Sequence, residues 1–164
     1  MRGIKLCEVE IGKYTDSGAI LQDLEDAGYG WCDWGADILG KVRLDGVRRS
    51  ILLFLLTNED LGLPEGADYR DIIHPERTTL GKALAAGFKT CSGEGGPALL
   101  LQHSRDSEDM VGDGLAVGMD VLAANCSWSS ILALRKKRPD VSRPILSATR
   151  AVWHPPKHRF LFTC

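Results

Sequence analysis

The sequence predicts an α+β domain in which a mainly helical N-terminal half packs on a C-terminal antiparallel sheet. Up to Gly87, apolar residues recur at helical spacing and glycines end the segments. Beyond Gly87, short apolar or alternating runs are separated by Gly, Asp, Pro and basic turns, which is typical of strands. Helices followed by strands favour an α+β fold. The 164 residues fit one globular domain, with a helical part at about 15–87 and a sheet part at about 98–164.

The first elements are a strand or extended arm at residues 4–11 and then two helices. Residues 15–17 offer three candidate N-terminal caps for the first helix, and Gly28 supplies its left-handed end. The second helix is predicted to start near Asp33, because apolar residues follow at helical spacing. Large aromatic side chains are expected to fill the corner between these helices. They are Tyr29, Trp31 and Trp34.

The next segment begins with an apolar run at residues 51–56, whose periodicity does not distinguish a buried strand from a short buried helix. A helical turn is predicted at residues 68–73. Pro75 is predicted to be the first residue of a further helix, because its missing N–H would be unpaired at that position. Gly87 is predicted to end this helix.

A glycine-rich corner at residues 87–103 joins the two predicted halves. We expect it to close a helix and to open a strand at residues 99–103. A phosphate-binding loop would instead follow a strand, open a helix and carry a Lys-Ser/Thr pair. Because the expected order is the reverse and the pair is missing, the corner is interpreted as structural. Further strands are predicted at residues 115–119, 130–134, 145–153 and 159–162.

Composition favours an ordinary globular protein, with 44% hydrophobic and 26% charged residues. The longest uninterrupted apolar run, at residues 51–56, is far shorter than the roughly 18 residues that cross a bilayer, and the first residues lack a signal-peptide stretch. The five cysteines are an odd number and lie far apart, which favours reduced thiols. We therefore expect a cytoplasmic protein with no membrane partner, and the sequence leaves its oligomeric state open.

Charge is divided unevenly along the chain. Residues 135–164 carry eight Lys or Arg against one acidic residue, whereas residues 1–134 carry 12 against 21. The densest basic group is a candidate binding surface for an acidic partner. An overall pI near 6.1 disfavours nucleic-acid binding but leaves it open. The group consists of Arg135, Lys136, Lys137 and Arg138.

Glu94 is the candidate catalytic residue. A carboxylate between glycines can act as a general acid or base if partial burial raises its pKa, with His103 and Asp106 as candidate second groups. The structural alternative for Glu94 is a hydrogen bond to the backbone that fixes the corner. Cys91 is predicted to be inert, because the C-terminal end of a helix disfavours a thiolate. No metal site is predicted, since the one suggestive pair of histidines lacks further ligands.

Several stretches of the chain resemble a group of small bacterial proteins without a known activity. In that group the corner reads approximately Leu-Cys-Pro-Ala-Glu-Val-Gly-Pro, followed by Leu-Arg-Leu-Gln. Here Ser92 stands in place of the Pro and Leu100 in place of the Arg, so a polar role of that Arg does not carry over. The resemblance implies one bacterial cytoplasmic domain and no particular reaction. It rests on residues 59–63, 69–72, 87–102, 118–119 and 159–162, and with the segments between them covers about two thirds of the chain.

These observations favour a non-enzymatic binding or regulatory protein of the bacterial cytoplasm, with the acidic helical half or the basic tail as its electrostatic face. The alternative is a small hydrolase or lyase that uses Glu94 as general acid or base, in a pocket where the helical layer meets the sheet. Neither interpretation requires a cofactor.

Overall fold

Seven strands form one mixed sheet in the computed structural model, which describes residues 4–104, 111–112, 114–120, 122–123, 129–136, 143–150 and 159–164. The strands are β1 (Ile4–Ile11), β2 (Arg49–Thr57), β3 (Leu115–Val117), β4 (Leu122–Ala123), β5 (Ser129–Lys136), β6 (Pro144–Arg150) and β7 (Arg159–Thr163). The helices within these residues are α1 (Ser17–Asp26), α2 (Asp33–Lys41), α3 (Thr79–Ala85) and α4 (Gly95–Gln102), and a 3-10 turn at Pro75–Arg77 precedes α3.

The sheet begins with β1 at one edge and continues through β2, β7 and β3 to β5. β6 pairs along one side of β5, so β3 and β4 share the other side. β3 runs parallel to β7, whereas the other described pairs are antiparallel. The outer edge of β6 is met by Trp31, which forms a parallel bridge with Leu146.

The α+β class is confirmed, but the predicted division into a helical half and an antiparallel sheet is wrong. The N-terminal half contributes β1 and β2, and β2 lies between β1 and β7 inside the sheet. The sheet is mixed because β3 and β7 are parallel. The apolar run at residues 51–56 is therefore a strand, with neighbours on both sides, and a strand covered on both faces shows no alternation.

The predicted strand at residues 99–103 is also wrong, because residues 95–102 form helix α4. Six successive residues at its start, Gly95 to Leu100, are buried. A helix enclosed on all sides carries an apolar run instead of an amphipathic stripe. Such a run cannot be told from a buried strand by periodicity, which explains the error.

Both faces of the sheet are covered around β2 and β7. On one face, α4 packs so closely that a Cβ added at Gly96 would lie 2.9 Å from Val117 Cγ2. On the other face, Tyr69 stacks on Phe160 and Phe162, with ring centroids 5.7 and 6.4 Å apart. The Tyr69 hydroxyl donates a hydrogen bond of 2.8 Å to Met119 O. The segment that carries Tyr69 therefore forms a second layer over the sheet.

The N-terminal helices agree with the prediction. α1 begins at Ser17, and Gly28 beyond its end has φ of +82°. The guanidinium of Arg143 donates to the carbonyl oxygens of Ala27 and Gly28, at 3.1 and 3.3 Å, and so satisfies orphan carbonyls at the end of the helix. α2 begins at Asp33, as expected.

Candidate functional site

Glu94 lies immediately before α4 and is buried, with 3% of its surface exposed. Its carboxylate Oε1 accepts a hydrogen bond of 3.0 Å from the backbone N–H of Gly12, which follows the last residue of β1. This contact corresponds to the structural role considered for Glu94, a hydrogen bond that fixes the corner. The side chain therefore joins the start of α4 to the end of the edge strand.

Two further side chains of this region continue the same arrangement along β1. The Gln102 amide accepts from Glu10 N at 2.8 Å and donates to Glu10 O at 2.7 Å. The His103 ring, with its proton on Nε2, donates to Glu8 O at 2.9 Å. Alternate residues of an edge strand point their backbone polar groups away from the sheet, where they would otherwise attract another strand. Three side chains thus bind the outward-pointing backbone groups of Gly12, Glu10 and Glu8. We call these side chains, Glu94, Gln102 and His103, the edge cover.

The structure does not bring Glu94 and His103, the two described residues of the predicted catalytic set, together. Glu94 and His103 flank opposite ends of α4, about 13 Å apart along a helix of this length. Asp106 lies outside the described residues. Acid–base chemistry at Glu94 stays a prediction that the separation of Glu94 from His103 does not favour.

The glycines of the corner are required by close packing. A Cβ at Gly93 would lie 2.5 Å from a methyl carbon of Val42, and one at Gly95 would lie 2.4 Å from Cys91 Sγ. The corner opens helix α4, so the predicted order was wrong at this end. It follows helix α3 and not a strand, however, so the argument from order against a phosphate loop is weakened but not lost. The other argument holds, since the Lys-Ser/Thr pair is missing.

Cys91 is buried beside this corner, and burial raises the pKa of its thiol to about 12. We expect iodoacetamide to label Cys164 readily in the native protein, because this cysteine is exposed. Cys91 should resist labelling, because a thiol held protonated and out of solvent is a poor nucleophile. Cys91 should be labelled only after the protein is unfolded in urea. Peptide mass spectrometry measures both sites, and equal native labelling of Cys91 and Cys164 would contradict the packing described.

The basic group at the end of β5 is only partly described. Arg135 is exposed, and its Nε donates to Ser147 Oγ at 3.2 Å. Lys136 is partly buried at the last position of the strand. Lys137 and Arg138 lie outside the described residues. Binding of an acidic partner by this group stays a prediction.

A cavity of about 490 Å³ lies between α1, α4 and the end of β1. Its wall holds a hydrogen-bonded trio of Lys13, Tyr14 and Asp23. Asp23 Oδ2 accepts from Lys13 Nζ at 2.7 Å and from the Tyr14 hydroxyl at 2.5 Å. The full lining is Glu10, Ile11, Lys13, Tyr14, Asp23, Asp26, Ala27, Arg48, Ala98, Leu101 and Gln102.

The trio fixes the protonation states of its members. The hydrogen bond from Lys13, followed by that from Tyr14, lowers the pKa of the Asp23 carboxyl. The same bond to Asp23 raises the pKa of Lys13. Burial and then the bond to Asp23 raise the pKa of the Tyr14 phenol. At neutral pH the trio is therefore a carboxylate, an ammonium and a neutral phenol, with no net charge.

A second candidate site is an exposed apolar surface made of Ile72, Ile73 and Leu84, here called the isoleucine patch. These side chains are 85%, 79% and 49% exposed. Ile72 and Leu84 line a groove of about 270 Å³ together with Leu80. Residues 68–73 form no helix, contrary to the prediction, so the two isoleucines project from a loop.

Neither site was identified from the sequence. The isoleucine patch did carry a signal, an apolar pair between polar residues and Pro75 in a segment rich in turn residues. That pair was included in the helical turn predicted at residues 68–73. The cavity carried no local signal, because β1, α1 and α4 meet only through the tertiary fold.

Comparison with protein-family models, with curated proteins and with solved structures finds no match to this chain. The resemblance to small bacterial proteins therefore stays a prediction. Among the described residues, no helix is long and apolar enough to span a membrane. No group of three or more His, Cys, Asp or Glu residues in that part of the chain is placed to hold a metal ion.

Proposed function

We propose that this chain is a binding protein that docks on a partner protein through the isoleucine patch. The observation that carries the proposal is the exposure of two adjacent isoleucines, at 85% and 79%. Burial of an isoleucine side chain contributes about 1.5–3 kcal/mol, so exposing Ile72 and Ile73 together forgoes a large stabilisation. Ile72 and Leu84 share one groove, and large exposed apolar patches mark interaction sites.

The surroundings of the patch indicate the chemistry of the partner. Arg70 and Asp71 both line the groove, and Asp71 Oδ1 accepts a hydrogen bond of 2.8 Å from Ile73 N. Neither side chain makes an ion pair with a described residue. An apolar centre with one charge of each sign at its rim fits a partner surface whose apolar side chains are flanked by both a carboxylate and a cationic group. The resemblance to small bacterial proteins supports a partner in the bacterial cytoplasm.

Affinity capture from a lysate of the source organism tests this function. The bait carrying Ile72→Ser and Ile73→Ser is expected to recover at least tenfold less partner than the unaltered bait, since losing both anchors costs more than about 1.4 kcal/mol of binding energy. Val47→Ser is the matched control, because Val47 is 60% exposed on a loop outside the patch. Quantitative mass spectrometry measures the recovery.

The thermal midpoint of unfolding separates loss of binding from loss of folding. Both baits should keep the Tm of the unaltered protein, because substitutions of exposed side chains change stability by less than about 0.5 kcal/mol. A partner that is captured equally by all three baits would refute docking through the patch.

A further inference from the structure

We propose that the cavity between α1, α4 and β1 binds a small zwitterion of the α-amino-acid type with an apolar side chain. This site is distinct from the isoleucine patch, since the two share no lining residue. The proposal rests on the size of the cavity, on its apolar wall and on the charged groups that the fold leaves uncommitted there.

The volume and the apolar wall suit a small ligand. About 490 Å³ falls within the range of ligand sites, roughly 300–1,000 Å³. Ile11 at the end of β1 and Ala98 and Leu101 on α4 supply adjoining apolar surface. Ile11 and Ala98 are already buried, so an aliphatic ligand side chain placed there would remove its own apolar surface and that of partly exposed Leu101 from water.

Some polar groups of the cavity wall already have hydrogen-bond partners in the protein, and others have none among the described residues. Lys13, Tyr14 and Asp23 satisfy one another, and the Gln102 amide is used on the backbone of Glu10. In contrast, the guanidinium of Arg48 makes no ion pair or hydrogen bond with any described residue. The wall therefore presents a cation that no described residue contacts as an ion-pair partner.

Carboxylates line the same cavity. The Glu10 side chain has no described partner, and the one described donor to Asp26 is the neutral Gln22 amide, at 2.9 Å. A guanidinium binds a carboxylate through two parallel hydrogen bonds, whereas a carboxylate accepts from an ammonium. A ligand that carries one group of each sign satisfies Arg48 on one side and Glu10 or Asp26 on the other.

Calorimetric titration with L-leucine tests the proposal, using L-leucinamide, which lacks the carboxylate, and N-acetyl-L-leucine, which lacks the ammonium. L-leucine should bind at least tenfold more tightly than either analogue. Arg48→Gln should weaken L-leucine binding at least tenfold and leave L-leucinamide binding unchanged, because only L-leucine loses a charged hydrogen bond. Arg43→Gln is the matched control, since Arg43 is exposed on the same loop and lines a different cavity.

Three outcomes would overturn the site. They are no heat of binding for L-leucine up to about 10 mM, equal affinity for L-leucine and L-leucinamide, and equal effects of Arg48→Gln and Arg43→Gln. The variant with Ile72→Ser and Ile73→Ser should bind L-leucine like the unaltered protein, so this test does not depend on the docking surface.

Discussion

Replacing Gly12 with alanine is expected to lower the free energy of unfolding by about 3–5 kcal/mol, the largest single effect that we expect. Gly12 has φ of +83°, a conformation that alanine adopts only with strain. An added Cβ would lie 1.8 Å from Val47 O and 2.2 Å from its carbonyl carbon, so the backbone of the facing loop would have to move. That movement would also disturb the hydrogen bond from Gly12 N to Glu94.

Urea unfolding measures this loss, and Gly62→Ala provides the control. Gly62 has φ of +68°, but no atom lies within 4 Å of its added Cβ. Its replacement should cost only the conformational strain, about 1–2 kcal/mol. Equal losses for Gly12→Ala and Gly62→Ala would show that the close approach to Val47 does not constrain the fold.

Replacing Glu94 with alanine is expected to cost about 2–4 kcal/mol, because it leaves the buried Gly12 N–H without its acceptor and opens a cavity beside α4. Glu94→Gln should cost only about 1 kcal/mol, since the amide oxygen can still accept this hydrogen bond. The same urea titration distinguishes the two variants.

Glu65→Ala is the control for removal of a carboxylate, because Glu65 is exposed. It should change the free energy of unfolding by less than about 0.5 kcal/mol. If Glu94→Ala were as stable as Glu65→Ala, the edge cover would not stabilise the fold, and the carboxylate would be free for the chemical role considered from the sequence.

Local signals in the sequence were sufficient to predict the helices and strands whose ends are marked by particular residues. α1 and α2 were predicted from their apolar spacing and from Gly28, and the structure places them there. β7 was predicted from its apolar run before the end of the chain. In each case the neighbouring residues in the sequence determine the local conformation, so periodicity is informative.

The arrangement of these elements depends on contacts between residues far apart in the sequence. Glu94 reaches Gly12 across 82 positions, and His103 reaches Glu8 across 95. No local pattern reports such pairings, so Glu94 looked like an isolated carboxylate between glycines. For the same reason, the sequence did not predict that β2 lies between β1 and β7 or that a cavity lies beside β1.

The sequence did not predict the exposure of the isoleucine patch, and the reason is different. Apolar residues are usually inside, and a helical turn predicted at residues 68–73 gives no indication that Ile72 and Ile73 are exposed. Nearby Tyr69 is fully buried against the sheet, which shows that this segment does contribute to the core. Only the structure shows that Tyr69 is buried whereas Ile72 and Ile73 are exposed.

The docking surface is tested most directly by cross-linking from the patch itself. A photoreactive benzophenone side chain placed at position 73 and, separately, at position 47 would be irradiated in a lysate of the source organism. Binding through the isoleucine patch predicts a discrete adduct with one partner from position 73 and none from position 47. No adduct from position 73, or the same adducts from both positions, would contradict it.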